Sequence, residues 1–187
     1  EMRVRLAALR AAQRTIRAAR RRLAEDGALP WFDYRSQFAD VFARGGFDLV
    51  VGNPPWVRAE ALPALEREQL ATRYGWWHGG GRGFAHRPDL SIAFLERAHE
   101  LAAPGGAVAL LLPAKITTTG YAARARAALA ANTCLHAVAD LGHAAATAFD
   151  ATTYPLALVV TKRSAPPSHR VRTTLDPDSS RGPAQGA

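Results

Sequence analysis

Asn53-Pro54-Pro55-Trp56 is the stretch of this 187-residue chain in which residue types and spacing converge on a chemistry. A stiff proline pair can hold an Asn side-chain oxygen and the carbonyl of Pro54 on one small donor group. An exocyclic amino group with two hydrogens, as on adenine, is such a donor. Accepting both hydrogens favours rehybridisation of the nitrogen towards sp3 and frees its lone pair for in-line attack on an activated methyl group. The gain comes from positioning and preorganised dipoles. The indole of Trp56 offers a face on which an extruded base can stack. Taken alone, the same four residues are also an ordinary strand-ending turn, because Asn-Pro and Pro-Pro are common loop formers.

The context decides between these readings. Phe47-Asp48-Leu49-Val50-Val51-Gly52 is a short apolar run bounded by glycines, the pattern of a buried parallel strand. It leads directly into Asn53, and neither proline can donate to a sheet ladder, so the strand must end there. In open α/β sheets ligand sites lie beyond the carboxyl ends of such strands. The periodicity predicts further helices over Met2–Ala24, Ala59–Arg73, Asp89–Ala103 and Tyr121–Ala131, and strands over Ala107–Leu112, Leu135–Leu141 and Tyr154–Thr161. Pro104-Gly105-Gly106 is expected to end the helix before it. Strands alternating with helices imply an α/β fold with a mostly parallel sheet. The organisation expected is an arginine-rich N-terminal helix (residues 1–29), a catalytic region (30–163) and a Pro/Ser/Arg/Gly-rich linker or disordered tail (164–187).

The net charge of +8 suits a polyanionic partner such as nucleic acid, although Arg20-Arg21-Arg22, which could touch phosphates, reads more readily as a solvated helix face. No stretch is long and apolar enough for a membrane span, and no secretory signal is expected from the arginine-rich N-terminal stretch. The single cysteine, Cys134, excludes an intramolecular disulfide and reads as a small core hydrophobe. The expected location is the cytoplasm. The histidines (His78, His86, His99, His136, His143, His169) show no ligand spacing, so no metal site is expected.

Phe47 to Arg58 resembles the catalytic motif of adenine-N6 DNA methyltransferases, most closely the large restriction–modification (Type IIG-like) methylases and their phage-defence relatives. The likeness spans about residues 30–162. It includes the aromatic lead-in Trp31–Phe42, Pro88-Asp89-Leu90 with Phe94–Ala98, Pro104-Gly105-Gly106 with Ala109–Lys115, and Phe149-Asp150-Ala151-Thr152-Thr153-Tyr154-Pro155. The resemblance implies part of a Rossmann-like class I methyltransferase sheet, mostly parallel with a late antiparallel strand and flanked by helices. It implies methyl transfer from S-adenosylmethionine to adenine in double-stranded DNA, the adenine flipped out. Asn53 and Pro54 would accept the amino hydrogens, Trp56 would replace the commoner tyrosine, and Phe149 would form the second aromatic wall. Phe149 reads equally well as a core residue at a strand start. Lys115 reads as a phosphate or base-edge contact or as a solvated lysine. Asp89 reads as a helix cap or, with Asn53, as part of the cofactor pocket.

Two features of the family pattern are missing. S-adenosylmethionine is held in these enzymes by a glycine-bearing turn after the first strand and an acidic residue after the second. Neither precedes Asn53, and Gly79 to Gly83 follows no strand. The expectation is therefore a catalytic fragment, inactive alone, whose partner is the remaining part of a parent methylase. A methyltransferase acting on protein glutamine or RNA, and a non-catalytic DNA-binding module, are the alternatives.

Overall fold

Asp33 opens the first of the ordered turns that follow the N-terminal helix. Its Oδ2 accepts hydrogen bonds from Ser36 N at 2.9 Å and Ser36 Oγ at 2.6 Å, capping α1 (Tyr34–Gln37), and α2 (Ala39–Ala43) follows. The computed structural model describes residues 10, 13–14, 16–18, 20–21, 32–78, 87–141 and 154–174. They fall in two units that divide between Ala43 and Arg44. Within the first unit the described residues from 10 to 21 are helical and exposed. The aromatic lead-in packs on itself: Phe32, Tyr34 and Phe38 have ring centroids 4.8 to 6.4 Å apart, and Arg35 lies over Phe42.

In the second unit Gly45 and Gly46 turn the chain into β1 (Phe47–Gly52). The remaining elements are α3 (Ala64–Arg73), α4 (Leu90–Leu101), β2 (Ala102–Pro113), α5 (Ala123–Asn132), β3 (Cys134–Asp140), β4 (Pro155–Thr161) and β5 (Arg172–Thr174). They build one five-stranded sheet in the order β1-β2-β4-β3-β5. β1 and β2 are parallel, as are β3 and β5, while β4 runs against both of its neighbours. Four strands thus share a direction and β4 is the late reversed strand, as expected.

One face of the sheet carries the core. Val108, Leu110 and Leu112 of β2 alternate inward, as do Leu156, Leu158 and Val160 of β4. Against them pack Ile92, Leu95 and Ala98, which recur every three residues along α4, together with Ile116, Tyr121, Ala122 and Ala125. Glu96 on α4 accepts hydrogen bonds from Gly75 N at 2.9 Å and Trp76 N at 2.6 Å, and Glu100 is paired with Arg73 and Arg97. These bonds hold the end of α3 against α4. Hydrogen bonds from Arg73 and Arg97 keep the Glu100 carboxyl below its ordinary value although burial acts the other way.

Three expectations are revised. β1 is not buried: Leu49 and Val51 are 59% and 68% exposed, whereas Val50 packs on the core. The strand is apolar on both faces, but among the described residues only one face is covered, and β1 stands at the edge of the sheet they form. Pro104-Gly105-Gly106 does not end α4, which stops at Leu101. It lies inside β2, where the register with β1 shifts between Phe47 and Leu49. The segment from Ser164 is not all linker, since Arg172–Thr174 pairs with β3 from Ala137 to Ala139. Three residues of pairing leave too little hydrophobic pattern to read from sequence.

The β1–β2 junction is tight. Gly46 has φ 127°, and a Cβ there would stand 2.5 Å from the Leu101 carbonyl oxygen; at Gly106 it would stand 2.7 Å from that of Phe47. Gly105, at φ 80°, faces open space. Gly46→Ala is therefore expected to cost more than about 2 kcal/mol and Gly105→Ala about 1 kcal/mol. Urea denaturation of the two variants checks the difference, and equal costs would show that the close approach is not what requires Gly46.

Candidate functional site

The motif begins where β1 runs out of ladder. Gly52 is its last paired residue, opposite Leu110, and Asn53 follows exposed, Pro54 buried, Pro55 exposed and Trp56 half-buried. The Trp56 indole Nε1–H donates to the Leu111 carbonyl of β2 at 3.3 Å. The turn is thus tied to the neighbouring strand by the ring proposed to stack, not only by its own stiffness. Asn53, Pro54, Pro55 and Trp56 together line an open recess of about 470 Å³.

Beyond Trp56 the chain is zipped to the approach of α4. Leu90 N donates to Val57 O at 2.7 Å, Ala59 N donates to Pro88 O at 3.0 Å, and Arg58 and Asp89 form an antiparallel bridge. This brings Asp89 beside the exit of the motif although 36 residues of sequence separate it from Asn53. Its Oδ1 accepts from Ser91 N at 2.9 Å, capping α4, so of the two roles read from sequence the cap is present. Burial pushes the Asp89 carboxyl above its ordinary value, against the pull of the Ser91 hydrogen bonds and of Arg58. Tyr121 is buried close enough to feel both charges, and burial raises its hydroxyl too. The Arg58–Asp89–Tyr121 grouping was not found from sequence. Of the three, sequence reading had singled out Asp89 alone as a candidate site residue.

Lys115 lies in the short 3-10 turn Ala114–Thr117 that leaves β2. β1 and β2 are parallel neighbours, so Asn53 and Lys115 emerge at the same end of the sheet. The Lys115 side chain is exposed, and its carbonyl accepts from Thr119 Oγ1 at 2.7 Å. At this same end Ala114 N donates to Tyr154 O at 2.9 Å, and Tyr154 is 61% exposed. Trp31, the Gly79–Gly83 loop and Phe149 lie outside the described residues. Asn53, Trp56, Asp89 and Lys115 are therefore gathered at the carboxyl ends of β1 and β2, the end of an α/β sheet where ligands bind.

Known proteins share this architecture. The family model described as Eco57I restriction-modification methylase matches residues 7–147. The Type II methyltransferase M.XhoI of Xanthomonas vasicola is 34% identical over 122 residues, covering 65% of this chain and 21% of that protein. M.PaeR7I of Pseudomonas aeruginosa, also a Type II methyltransferase, is 28% identical over 118 residues, 63% of this chain and 19% of that protein. The chain thus spans about a fifth of the length of these curated relatives. Among solved structures, a class I S-adenosylmethionine-dependent methyltransferase from Listeria monocytogenes superposes with a TM-score of 0.54 at 18% identity, over 71% of this chain and 37% of that one. That likeness shows the class I methyltransferase fold. Among the described residues no helix is long and apolar enough to cross a membrane.

The geometry at Asp89 yields a stability test. Asp89→Ala removes the cap and is expected to cost about 1 kcal/mol, whereas Asp89→Asn keeps an acceptor, sheds a charge that burial disfavours, and should stay within about 0.5 kcal/mol of the parent. Equal losses in urea denaturation would mean that the charge itself, and not the cap, is what α4 requires.

Proposed function

Since the chain belongs to the Eco57I restriction-modification methylase family, we propose that it carries the base-holding part of a DNA methyltransferase that modifies the exocyclic amino group of adenine. The observation that carries the reading is the Asn53–Trp56 recess at the carboxyl end of β1, with Trp56 pinned to β2. Asn53 Oδ1 and the Pro54 carbonyl accept the two amino hydrogens and hold the nitrogen lone pair outward. Trp56 stacks on the flipped base, and its bond to Leu111 O fixes the plane of that contact. Phe149 supplies the opposite aromatic wall, and Lys115, at the same end of the sheet, contacts the DNA backbone or base edge.

S-adenosylmethionine, when bound, supplies the electrophilic methyl group. Asn53 and Asp89 are the residues this chain turns towards it. The rest of the pocket is contributed by the remaining part of the methylase, which covers β1. The exposed Leu49 and Val51 on an edge strand that is apolar on both faces support this. The isolated chain is accordingly inactive, and the whole enzyme works on DNA in the cytoplasm.

In the whole methylase, Asn53→Ala is expected to lower the rate of adenine methylation at least about a hundredfold, as loss of one preorganised polar contact does. Trp56→Ala should weaken productive DNA binding by about ten- to a hundredfold, with Trp56→Phe recovering most of it. Single-turnover transfer of labelled methyl groups to duplex DNA measures both, and an Asn53→Ala enzyme with the parental rate would rule out the assigned role.

A further inference from the structure

Cys134, His136 and His169 are far from the base-holding recess in sequence and have no part in the function proposed there. The fold nevertheless brings them together at the opposite side of the sheet order, where β3 meets β4 and β5. Each offers one ligand atom, and the three atoms lie within 4.8 Å of one another. Cys134 begins β3 and is 1% exposed. His136 sits where the register of β3 with β4 slips between Leu135 and Ala137, the kind of irregularity that re-aims a side chain. His169 comes from the connection leading to β5, and its ring stands edge-on to that of His136 at 5.4 Å.

The hydrogen bonds around the two imidazoles are those of ligands held ready. His169 Nε2 lies 2.6 Å from the Leu135 carbonyl oxygen. A carbonyl only accepts, so Nε2 carries a proton, and in the neutral ring Nδ1 is the nitrogen with the free lone pair. His136 Nε2 is 2.7 Å from Thr161 Oγ1. Metal-bound imidazoles pass their second nitrogen to a carbonyl or hydroxyl in this way. From this cluster we infer that Cys134, His136 and His169 form a binding site for a zinc-like divalent ion. One thiolate and two imidazoles suit zinc, while calcium and magnesium would find no carboxylate in the set. Bond lengths of about 2.0–2.3 Å place zinc ligands roughly 3.5 Å apart, so the cluster needs to contract by about 1 Å.

A recess lined by His136, Ala137, Arg170, Val171 and Arg172 lies beside the site. Arg170 and Arg172 oppose a bare cation there; the charge of the Cys134 thiolate offsets that repulsion. The consequence is structural. Among the described residues β5 pairs with β3 over Arg172–Thr174, and an ion bridging His169 to Cys134 would reinforce the tie between the connection and the sheet.

Cobalt provides the test, because Cys134 is the single cysteine of the chain and a thiolate-to-cobalt charge-transfer band can arise only from it. Titrating the metal-free 187-residue chain with Co2+ should give that band and tetrahedral visible bands, saturating at one equivalent, with Zn2+ displacing both. Cys134→Ser should abolish the charge-transfer band, His169→Ala should weaken binding at least about tenfold, and His78→Ala should change neither. No charge-transfer band from the unaltered chain in excess cobalt would overturn the inference, whatever the folding of the variants. A band that His169→Ala leaves undiminished would overturn it equally.

Discussion

The parallel pairing of β1 with β2 is the constraint on which the rest of the site depends. It fixes the level at which β1 stops, since Gly52 is the last paired residue and the two prolines after Asn53 cannot extend the ladder. It also fixes what stands beside the turn, because Leu111 of β2 receives the Trp56 indole. Gly46 and Gly106 allow the pairing to start as close as it does, each with a carbonyl oxygen where a Cβ would be. The same alignment puts Lys115 at the shared end of the sheet. The Val57–Leu90 and Ala59–Pro88 bonds then draw the start of α4, and with it Asp89, against the exit of the motif.

Much of this was legible because it is local. The apolar run Phe47–Gly52, the proline stop and the three-residue recurrence of Ile92, Leu95 and Ala98 all leave a mark on sequence, and each corresponds to an element of the fold. What was not legible depends on partners distant in sequence. Val50 faces the core while Leu49 and Val51 face outward, and a run of apolar residues cannot say which of its faces this chain covers. Pro104-Gly105-Gly106 has the composition of a helix stop, yet the hydrogen bonds Gly105 N to Lys162 O and Lys162 N to Gly106 O keep it in the sheet. Cys134 and His136 are two residues apart, a spacing that means nothing until His169 arrives from the far side of β4.

The two sides of the sheet therefore have different tasks. At β1 the strand is apolar, uncovered on one face among the described residues, and followed at once by the turn proposed to hold the base, and on that proposal a neighbouring part of the methylase completes the pocket. At β3 the sheet is closed by β5 and, on the inference drawn above, by an ion. Between them α4 serves both the core and the site: its inner face packs on β2 and β4, and its capped start is bound to the chain that leaves Trp56.

The central claim is that this turn presents an adenine amino group. The most direct measurement is the identity of the modified nucleoside in DNA from cells expressing the whole methylase, set against DNA from cells expressing its Asn53→Ala form. The account predicts N6-methyladenine in the first and its loss in the second. Methylcytosine in place of N6-methyladenine, or unmodified DNA alongside methylated protein or RNA, would contradict it.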